Sequence, residues 1–321
     1  LKGRGVDTGT IGLMMATMPL SAMLLRPFSG QLIAHFSGRP VLIASSLLYM
    51  LLMPAFLLVT PATLGLFVLL RVLQGIGIAG VENSLNMTAT EATGGVERGK
   101  VIGRVSAFYI LGWALAPAAA EALYATAGFT AIFLLGSACC LVAGVASLLL
   151  APLPREHQVP FRFSLLTYGR QLGRDMRFLF LLSVITGAIF NAAITFLPIY
   201  AESRGIGAGS VFFVFFCVGS GVTLAFAGGL SDRIGRRRVI LPALIFYIAG
   251  PLLLLDVHSV IPVAVAGLVF GLFDGLFVPA LVALVLDLHA SNVGAIALGL
   301  IYMAFDLGGI AGSSGFGYLA E

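Results

Sequence analysis

The stretch Gly228-Gly-Leu-Ser-Asp232-Arg233-Ile-Gly235-Arg236-Arg237-Arg238 is a short charged loop between two long apolar runs. A related stretch, Gly30-Gln-Leu-Ile-Ala-His-Phe-Ser-Gly-Arg39, lies in the first half of the chain, and the two align without a gap. An offset of about 196–198 residues also places Glu91 over Asp287. The chain therefore contains two similar halves that run in parallel, an arrangement from which one large class of transporters is built.

The composition indicates that lipid surrounds most of the chain. Hydrophobic residues make up 59% of the 321 residues and charged residues only 10%, and the mean hydropathy is +1.06. Soluble domains carry roughly 25% charged residues. In lipid, backbone polar groups must be paired within a helix or a closed barrel, and barrel strands alternate apolar and polar residues over about ten positions. These runs are longer and continuous, which predicts an all-α polytopic membrane protein.

Ten apolar runs approach the roughly 20 residues that a membrane-spanning helix needs. Their approximate limits are 9–35, 40–60, 62–89, 100–125, 129–151, 177–200, 208–230, 239–256, 260–287 and 294–319. The long polar connection falls after the fifth run. We therefore predict an N-terminal bundle over 1–151, a cytoplasmic linker over 152–176 and a C-terminal bundle over 177–321.

The basic residues predict the orientation, because positively charged loops stay in the cytoplasm. Thirteen of them fall in alternate connections, against three on the opposite side, and Arg26 and Arg71 lie inside spans. The basic pI of about 9.2 is therefore an orientation signal, and we expect no nucleic-acid partner. The thirteen are Arg39, Arg98, Lys100, Arg104, Arg155, Arg162, Arg170, Arg174, Arg177, Arg233, Arg236, Arg237 and Arg238.

The loop from Gly228 to Arg238 resembles the major facilitator signature G-x-x-x-D-R-x-G-R-R, which follows the second helix of each six-helix half. In that reading Gly228 allows close helix approach, Asp232 lies at a helix end and Gly235 permits a tight reversal. The cytoplasmic gate would consist of Gly228, Asp232, Arg233, Gly235, Arg236 and Arg237, whose arginines pair with carboxylates in one state only. The first-half copy keeps Arg39 but replaces the acid by Ala34. An ordinary positively charged loop is the alternative.

The third span contains Arg71-Val-Leu-Gln74-Gly75-Ile-Gly77-Ile-Ala79, which resembles the R-x-x-Q-G-x-G-x-A segment of proton-linked family members. An arginine within a span is costly and suggests a function. Glu82 follows Arg71 by about three turns, so the two share nearly one helix face. The resemblance favours a coupling role for them, and a structural Arg–Glu pair is the alternative.

Two further motifs resemble the family. Glu91 and Arg98 have the spacing E-x6-R, which belongs to its cytoplasmic charge network, with a solvated loop pair as the alternative. The fourth predicted span contains Gly112-Trp-Ala-Leu-Ala-Pro117, which resembles the antiporter motif of the family, with Ala at two of the motif's Gly positions. Small residues allow close helix packing and Pro117 bends the helix, which favours export.

Two acidic residues, Asp274 and Asp306, lie in the middle of second-half spans. Burial favours the protonated form of a carboxyl group, so either is a candidate proton carrier, and a packing role is the alternative. We expect both to precede Glu82 in importance, because Glu82 could be permanently paired with Arg71. Further residues that could line a substrate cavity are Gln74, Asn83, Asn86, Tyr109 and Asn191.

Taken together, the motifs resemble the bacterial efflux branch of drug and metabolite antiporters of the major facilitator family. The resemblance implies two pseudo-symmetric bundles with ten of twelve helices present, the first and last being absent from this chain. It implies proton-coupled efflux of a drug-like or metabolite substrate by alternating access. Uptake of a sugar or organic acid and a non-transporting scaffold or receptor are alternatives. We expect a monomer in the bacterial inner membrane, without cofactor or metal, and no enzyme activity.

Overall fold

The computed structural model describes residues 8–94, 97–150, 173–203, 209–227, 229–252, 259–289 and 291–320. The regular elements within these ranges are all helices. They are α1 Thr8–Phe36, α2 Gly38–Ala55, α3 Leu64–Ala92, α4 Arg98–Leu149, α5 Arg174–Ser203, α6 Gly209–Ala227, α7 Leu230–Ile234, α8 Arg236–Leu252, α9 Val260–Leu288 and α10 Ser291–Ala320. Two short 3₁₀ turns, Phe56–Leu58 and Pro61–Thr63, join α2 to α3.

Six helical stretches among the described residues are long and apolar enough to cross a membrane. They are Gly38–Leu58, Pro61–Ala92, Ala122–Leu149, Arg174–Ala193, Val260–Leu288 and Val293–Gly312. Each overlaps a predicted span, and α1, α6, α8 and the first part of α4 cover the remaining four predicted spans as helices. The prediction of an all-α polytopic membrane protein is confirmed.

The long helix α4 is interrupted at Gly128, where φ is 70° and ψ is −170°. Glycine adopts positive φ without a steric penalty because it has no Cβ. The interruption lies between the predicted fourth span, 100–125, and the predicted fifth span, 129–151. The two spans are therefore separate helical segments that meet at this glycine.

The chain divides into two compact units, each of which takes residues from both halves of the sequence. One unit is Leu1–Thr88, Ala118–Arg170 and Ala290–Asp306, and the other is Ala89–Pro117, Gln171–His289 and Leu307–Glu321. This grouping differs from the predicted bundles 1–151 and 177–321, which stay a prediction. Most of the predicted linker, from residue 151 to 172, lies outside the described residues.

In the first unit, α1 and the first half of α10 cross closely because both carry glycines at the crossing. A Cβ atom on Gly30 would lie 2.5 Å from the carbonyl oxygen of Ala295 and 2.8 Å from Cα of Ile296. A Cβ on Gly299 would overlap the carbonyl oxygen of Arg26. Small residues let helix backbones approach in lipid, where packing drives association. This crossing places Arg26 beside α10.

In the second unit, α6 packs against α9 around a buried hydrophobic cluster that is mostly aromatic. Its buried members are Phe212, Phe216, Tyr247, Val263 and Phe270. Glycines again permit the close contact, since a Cβ on Gly267 would lie 2.5 Å from the carbonyl oxygen of Phe212.

Candidate functional site

The most buried cation among the described residues of the first unit is Arg26, on α1, with a side chain that is 9% exposed. Its Nη1 lies 2.5 Å from Oε2 of Glu82 on α3. Its Nε donates to Oδ2 of Asp306 on α10, and its Nη2 donates to Oδ1 of the same residue at 3.2 Å. A charge inside a span is tolerated when it is paired. One guanidinium thus joins two carboxylates within the membrane-spanning region.

Two further side chains position this cluster of Arg26, Glu82 and Asp306. The ring of Tyr302 lies 5.0 Å from Cζ of Arg26, one turn before Asp306 on α10. Asn86 donates to the hydroxyl of Tyr302 at 2.7 Å and to the carbonyl oxygen of Glu82 at 3.2 Å. A cation over an aromatic ring is stabilised electrostatically, most strongly where water is excluded. α3 and α10 therefore hold the guanidinium from two sides.

The predicted cavity residue Asn83 lies in the contact between α3 and α10. It is 1% exposed, and its Nδ2 donates to the carbonyl oxygen of Ala295 at 3.1 Å. The amide of Asn83 thus gives a buried carbonyl oxygen a hydrogen-bond partner, which lipid cannot supply. In this conformation Asn83 holds two helices together, and a cavity role stays a prediction.

The predicted site residues Arg71 and Gln74 lie one turn apart on α3. Nη1 of Arg71 donates to Oε1 of Gln74 at 3.0 Å, and the guanidinium lies 5.9 Å from the ring of Phe56 and 5.3 Å from that of Phe67. Glu82 forms a salt bridge with Arg26, a partner that the sequence did not suggest, and the pair of Arg71 with Glu82 stays a prediction. The sequence placed Arg26 inside a span but indicated no partner for it. The high cost of an arginine within a membrane is the signal that could have identified Arg26 as a functional residue.

The second-half carboxylates have different environments. Asp306 is paired with Arg26. Asp274, on α9, is 9% exposed, and no salt bridge within the described part of the chain includes it. Phe270 and Phe277 lie about one turn before and one turn after Asp274 on the same helix, and both are buried. Within the described part of the chain, Asp306 therefore has a salt-bridge partner and Asp274 has none.

The remaining predicted cavity residues, Asn191 and Tyr109, belong to the second unit. Nδ2 of Asn191 donates to the carbonyl oxygen of Gly187 at 3.0 Å, and Asn191 packs against the backbone of Gly309 on α10. Tyr109 is 44% exposed, with its ring 6.0 Å from that of Trp113. Asn191 therefore lies at a helix crossing, and Tyr109 lies on an open face of α4.

Asp232 in the charged loop binds the beginning of α4. Its carboxylate accepts hydrogen bonds from the backbone N–H of Gly99 at 3.1 Å and of Lys100 at 2.9 Å, and it pairs with Arg236. Because α4 begins at Arg98, these are first-turn N–H groups that have no partner within the helix. A carboxylate is favourable there, at the positive end of the helix dipole. Asp232 thus acts as an N-terminal cap supplied by another part of the chain.

The same network extends to Asp287, at the end of α9. Nε of Arg236 lies 3.0 Å from Oδ2 of Asp287, and Nη1 of Arg98 lies 2.9 Å from its Oδ1. Asp287 is the residue that the internal repeat aligns with Glu91, a half-buried residue on α3. The predicted charge network of Arg98 therefore includes the second-half counterpart of Glu91.

The other residues of the loop have distinct positions. Gly235 has φ 98°, between α7 and α8, a conformation that favours glycine and reverses the chain tightly. Arg233 is exposed, and Arg237 forms an exposed pair with Asp175 at 3.4 Å. Gly228 lies outside the described residues.

Arg39, in the degraded first-half copy, binds the other end of α4. Its Nε donates to the carbonyl oxygen of Ser147 at 3.3 Å, and its Nη2 donates to that of Leu148 at 2.7 Å. α4 ends at Leu149, so these are last-turn carbonyls at the negative end of the dipole. The first-half loop therefore keeps a helix-capping contact although Ala34 replaces its acid.

The antiporter-like motif lies on α4. Among the described residues, no atom lies within 4 Å of the position that a Cβ on Gly112 would occupy, and close helix packing at Gly112 stays a prediction. α4 continues through Pro117 as a helix, and its non-helical point is Gly128. The side chain of Pro117 lies outside the described residues.

The described residues form a polytopic helical fold with charged side chains paired inside it. Among them, no three His, Cys, Asp or Glu side chains are placed to hold a metal ion. The family model of the Major Facilitator Superfamily matches residues 2–313. The chain therefore belongs to the Major Facilitator Superfamily, whose members are secondary transporters of small molecules in the lipid bilayer. No curated protein matches the sequence.

Solved structures confirm the fold. The human organic anion transporter MFSD10 (TETRAN) is similar with a TM-score of 0.78 at 16% identity, over 94% of this chain and 76% of that one. The Major Facilitator Superfamily transporter FucP in the outward conformation is similar with a TM-score of 0.80 at 14% identity, over 99% of this chain and 85% of that one.

Proposed function

We propose that this transporter exports a small molecule by proton-coupled alternating access, with Arg26, Glu82 and Asp306 as the coupling site. The observation that carries the proposal is the sharing of one buried guanidinium between two carboxylates.

The charge of this cluster supports the binding of one proton. The guanidinium of Arg26 stays protonated throughout, so with both carboxylates ionised the cluster carries a single uncompensated negative charge. An uncompensated charge is costly where water is excluded. Uptake of one proton makes the cluster neutral, and its release restores the charge.

The geometry favours Glu82 as the proton carrier. Nε and Nη2 of Arg26 both donate to Asp306, and Nη1 donates to Glu82. Two parallel bonds between guanidinium and carboxylate are the stronger arrangement for an ionised acid. Protonation of Glu82 would leave the two bonds between Arg26 and Asp306 intact. The sequence analysis placed Asp274 and Asp306 before Glu82, and the present proposal differs from that order.

The position of the cluster suggests how the proton controls conformation. Arg26 and Glu82 come from the first half of the sequence and Asp306 from the second. Ionised Glu82 competes with Asp306 for the guanidinium, and protonated Glu82 leaves Arg26 to Asp306. Because α1 and α10 cross at Gly30 and Gly299, a proton on Glu82 stabilises this crossing, and its release weakens it. A ligand that binds one state better shifts the population toward that state.

The contacts of Asp232 supply the corresponding gate. The carboxylate binds the first turn of α4 through Gly99 and Lys100. Movement of the charged loop away from α4 exposes these N–H groups and leaves Asp287 without one of its arginines. In this proposal the gate is closed while these contacts are made and opens in the other state of the transport cycle.

Proton-coupled uptake of an organic acid is a second candidate, favoured by Arg71. Its guanidinium is partly exposed and lies near two aromatic rings and Gln74, a setting that suits recognition of a carboxylate. MFSD10, one of the similar structures, is described as an organic anion transporter.

Proteoliposomes of the full chain with an internal pH-sensitive dye test these alternatives. Cationic drugs, organic anions and sugars are added in turn while labelled uptake and internal pH are recorded. Export predicts that protons move opposite to the substrate, and Glu82→Gln abolishes this movement. Protons moving with the substrate would establish uptake instead. The absence of transport for every class, with correct insertion, would contradict a carrier and favour the scaffold.

A further inference from the structure

We propose that the second unit binds an anionic phospholipid in a groove between the cytoplasmic ends of α5, α8 and α9. The groove is lined by Leu179 on α5, Ile240 and Leu241 on α8, and Leu284 and Leu288 on α9, with one charged pair at its end. The proposal does not depend on proton coupling or on the direction of transport.

The apolar part of the groove suits an acyl chain. Leu179 and Ile240 form a buried floor at 4% exposure each. Phe178 and Leu241, at 57% and 56% exposure, form walls that continue onto the surface facing lipid. Large exposed apolar side chains at this density are stable in a membrane protein because acyl chains cover them. The groove is therefore continuous with the hydrocarbon region that surrounds these helices.

The charged end of the groove suits a phosphate group. Arg237 pairs with Asp175 at 3.4 Å, but their side chains are 69% and 61% exposed. Exposed pairs of this kind contribute little free energy, so a lipid phosphate can take over the guanidinium at small cost. Arg174, Arg177 and Arg238 are exposed near the same helix beginnings, and Asp175 is the acid in the first turn of α5. Positive charge predominates at this rim.

The backbone adds a second source of attraction. α5 begins at Arg174 and α8 begins at Arg236, and the N-terminus of a helix attracts phosphate through its unpaired N–H groups and dipole. The positive-inside pattern places both beginnings at the cytoplasmic leaflet, where anionic lipids are concentrated. A phosphate headgroup on an acyl chain satisfies the rim and the groove together, whereas free phosphate satisfies only the rim.

Native mass spectrometry of the full chain in detergent tests the site, with phosphatidylglycerol and phosphatidylcholine of equal chain length as probes. We expect phosphatidylglycerol to be retained over phosphatidylcholine. Arg237→Gln should lower this retention about fivefold, from the roughly 1 kcal/mol that a basic residue contributes near an anionic surface. Arg237→Lys should preserve most of it. Arg104→Gln, which removes an exposed arginine outside the groove, is the matched control and should have no effect.

A second variant fills the groove without changing charge. Leu241→Trp should lower the retention of phosphatidylglycerol and leave the melting temperature of the protein unchanged, and added inorganic phosphate should not displace the lipid. Equal retention of the two lipids by the wild-type chain would overturn the proposal. Equal loss of retention in Arg237→Gln and Arg104→Gln would also overturn the proposal, because lipid retention would then depend on net charge alone.

Discussion

The guanidinium of Arg26 donates two hydrogen bonds to the carboxylate of Asp306, a residue 280 positions later in the sequence. The same guanidinium donates a third bond to Glu82. The bridge connects residues from the first and second halves of the sequence. Because the three charges share one hydrogen-bond network, a change in the protonation of one alters the bonds of the others.

Replacing Arg26 by Gln should destabilise the transporter strongly. The change removes the cation that pairs with both Glu82 and Asp306, and removal of one partner from a buried ion pair costs about 3–5 kcal/mol. Thermal unfolding in detergent should show a clear fall in melting temperature. Lys100→Gln, which breaks an exposed pair with Glu97, is the control and should have little effect.

The double variant Arg26→Gln with Asp306→Asn should recover part of the lost stability, since it removes one of the two uncompensated charges. A melting temperature for Arg26→Gln equal to that of wild type would show that the bridge contributes nothing to the fold.

Asp232→Asn should shift the cytoplasmic gate toward its open state. The variant loses the charge at the N-terminus of α4 and the salt bridge with Arg236, and a favourable cap of this kind is worth about 1 kcal/mol, or about fivefold in population. Cysteine labelling from the cytoplasmic side, in a background without native cysteines, should be faster, and turnover should fall more than substrate binding. Glu97→Gln is the control. Labelling and turnover at wild-type rates in Asp232→Asn would argue against this gate.

Gly30→Ala and Gly112→Ala should have opposite outcomes although the chemical change is the same. The new Cβ at Gly30 meets the backbone of Ala295 at 2.5 Å, and overpacking costs about 1–3 kcal/mol. The new Cβ at Gly112 meets no described atom within 4 Å, and alanine favours a helix by about 1 kcal/mol over glycine. Melting temperatures of the two variants should lie on either side of wild type. Tolerance at Gly30 would mean that α1 and α10 are further apart in solution.

The topology can be tested with single cysteines at Thr63 and Thr93, both exposed at opposite ends of α3. The positive-inside pattern predicts that Thr93→Cys, beside the Arg98 connection, is labelled from the cytoplasm and Thr63→Cys from outside. A membrane-impermeant thiol reagent added to intact cells or to inverted vesicles distinguishes the sides. Labelling of both from one side would contradict the predicted spans.

The helices could be predicted from the sequence because lipid imposes a simple rule, a run of about 20 apolar residues for each span. The limits of α9, Val260–Leu288, differ from the predicted 260–287 by one residue for this reason. The interruption of α4 at Gly128 also falls in the predicted gap between spans. These features depend on residues that are close together in the sequence, so they can be predicted from the sequence.

The partners of the charged residues could not be predicted in the same way. Spacing on α3 suggested Arg71 for Glu82, whereas the salt bridge involves Arg26, on another helix. Helix periodicity relates residues one to three turns apart, but the meeting of Arg26 and Asp306 depends on how α1 crosses α10. The glycines at that crossing are visible in the sequence, yet their partners are not. The contact of Arg39 with the last turn of α4 could not be predicted either, because its partners lie more than 100 residues away in the sequence.

The most direct test of the account is gradient-driven transport by Glu82→Gln, compared with exchange between equal pools of substrate and with the variant Asp274→Asn. Glutamine keeps the size and one hydrogen bond of Glu82 but cannot bind or release a proton. The account predicts that Glu82→Gln loses uphill transport and keeps exchange, and that Asp274→Asn keeps both. Uphill transport by Glu82→Gln at the wild-type rate, or its loss in Asp274→Asn alone, would contradict the assignment of the proton to Glu82.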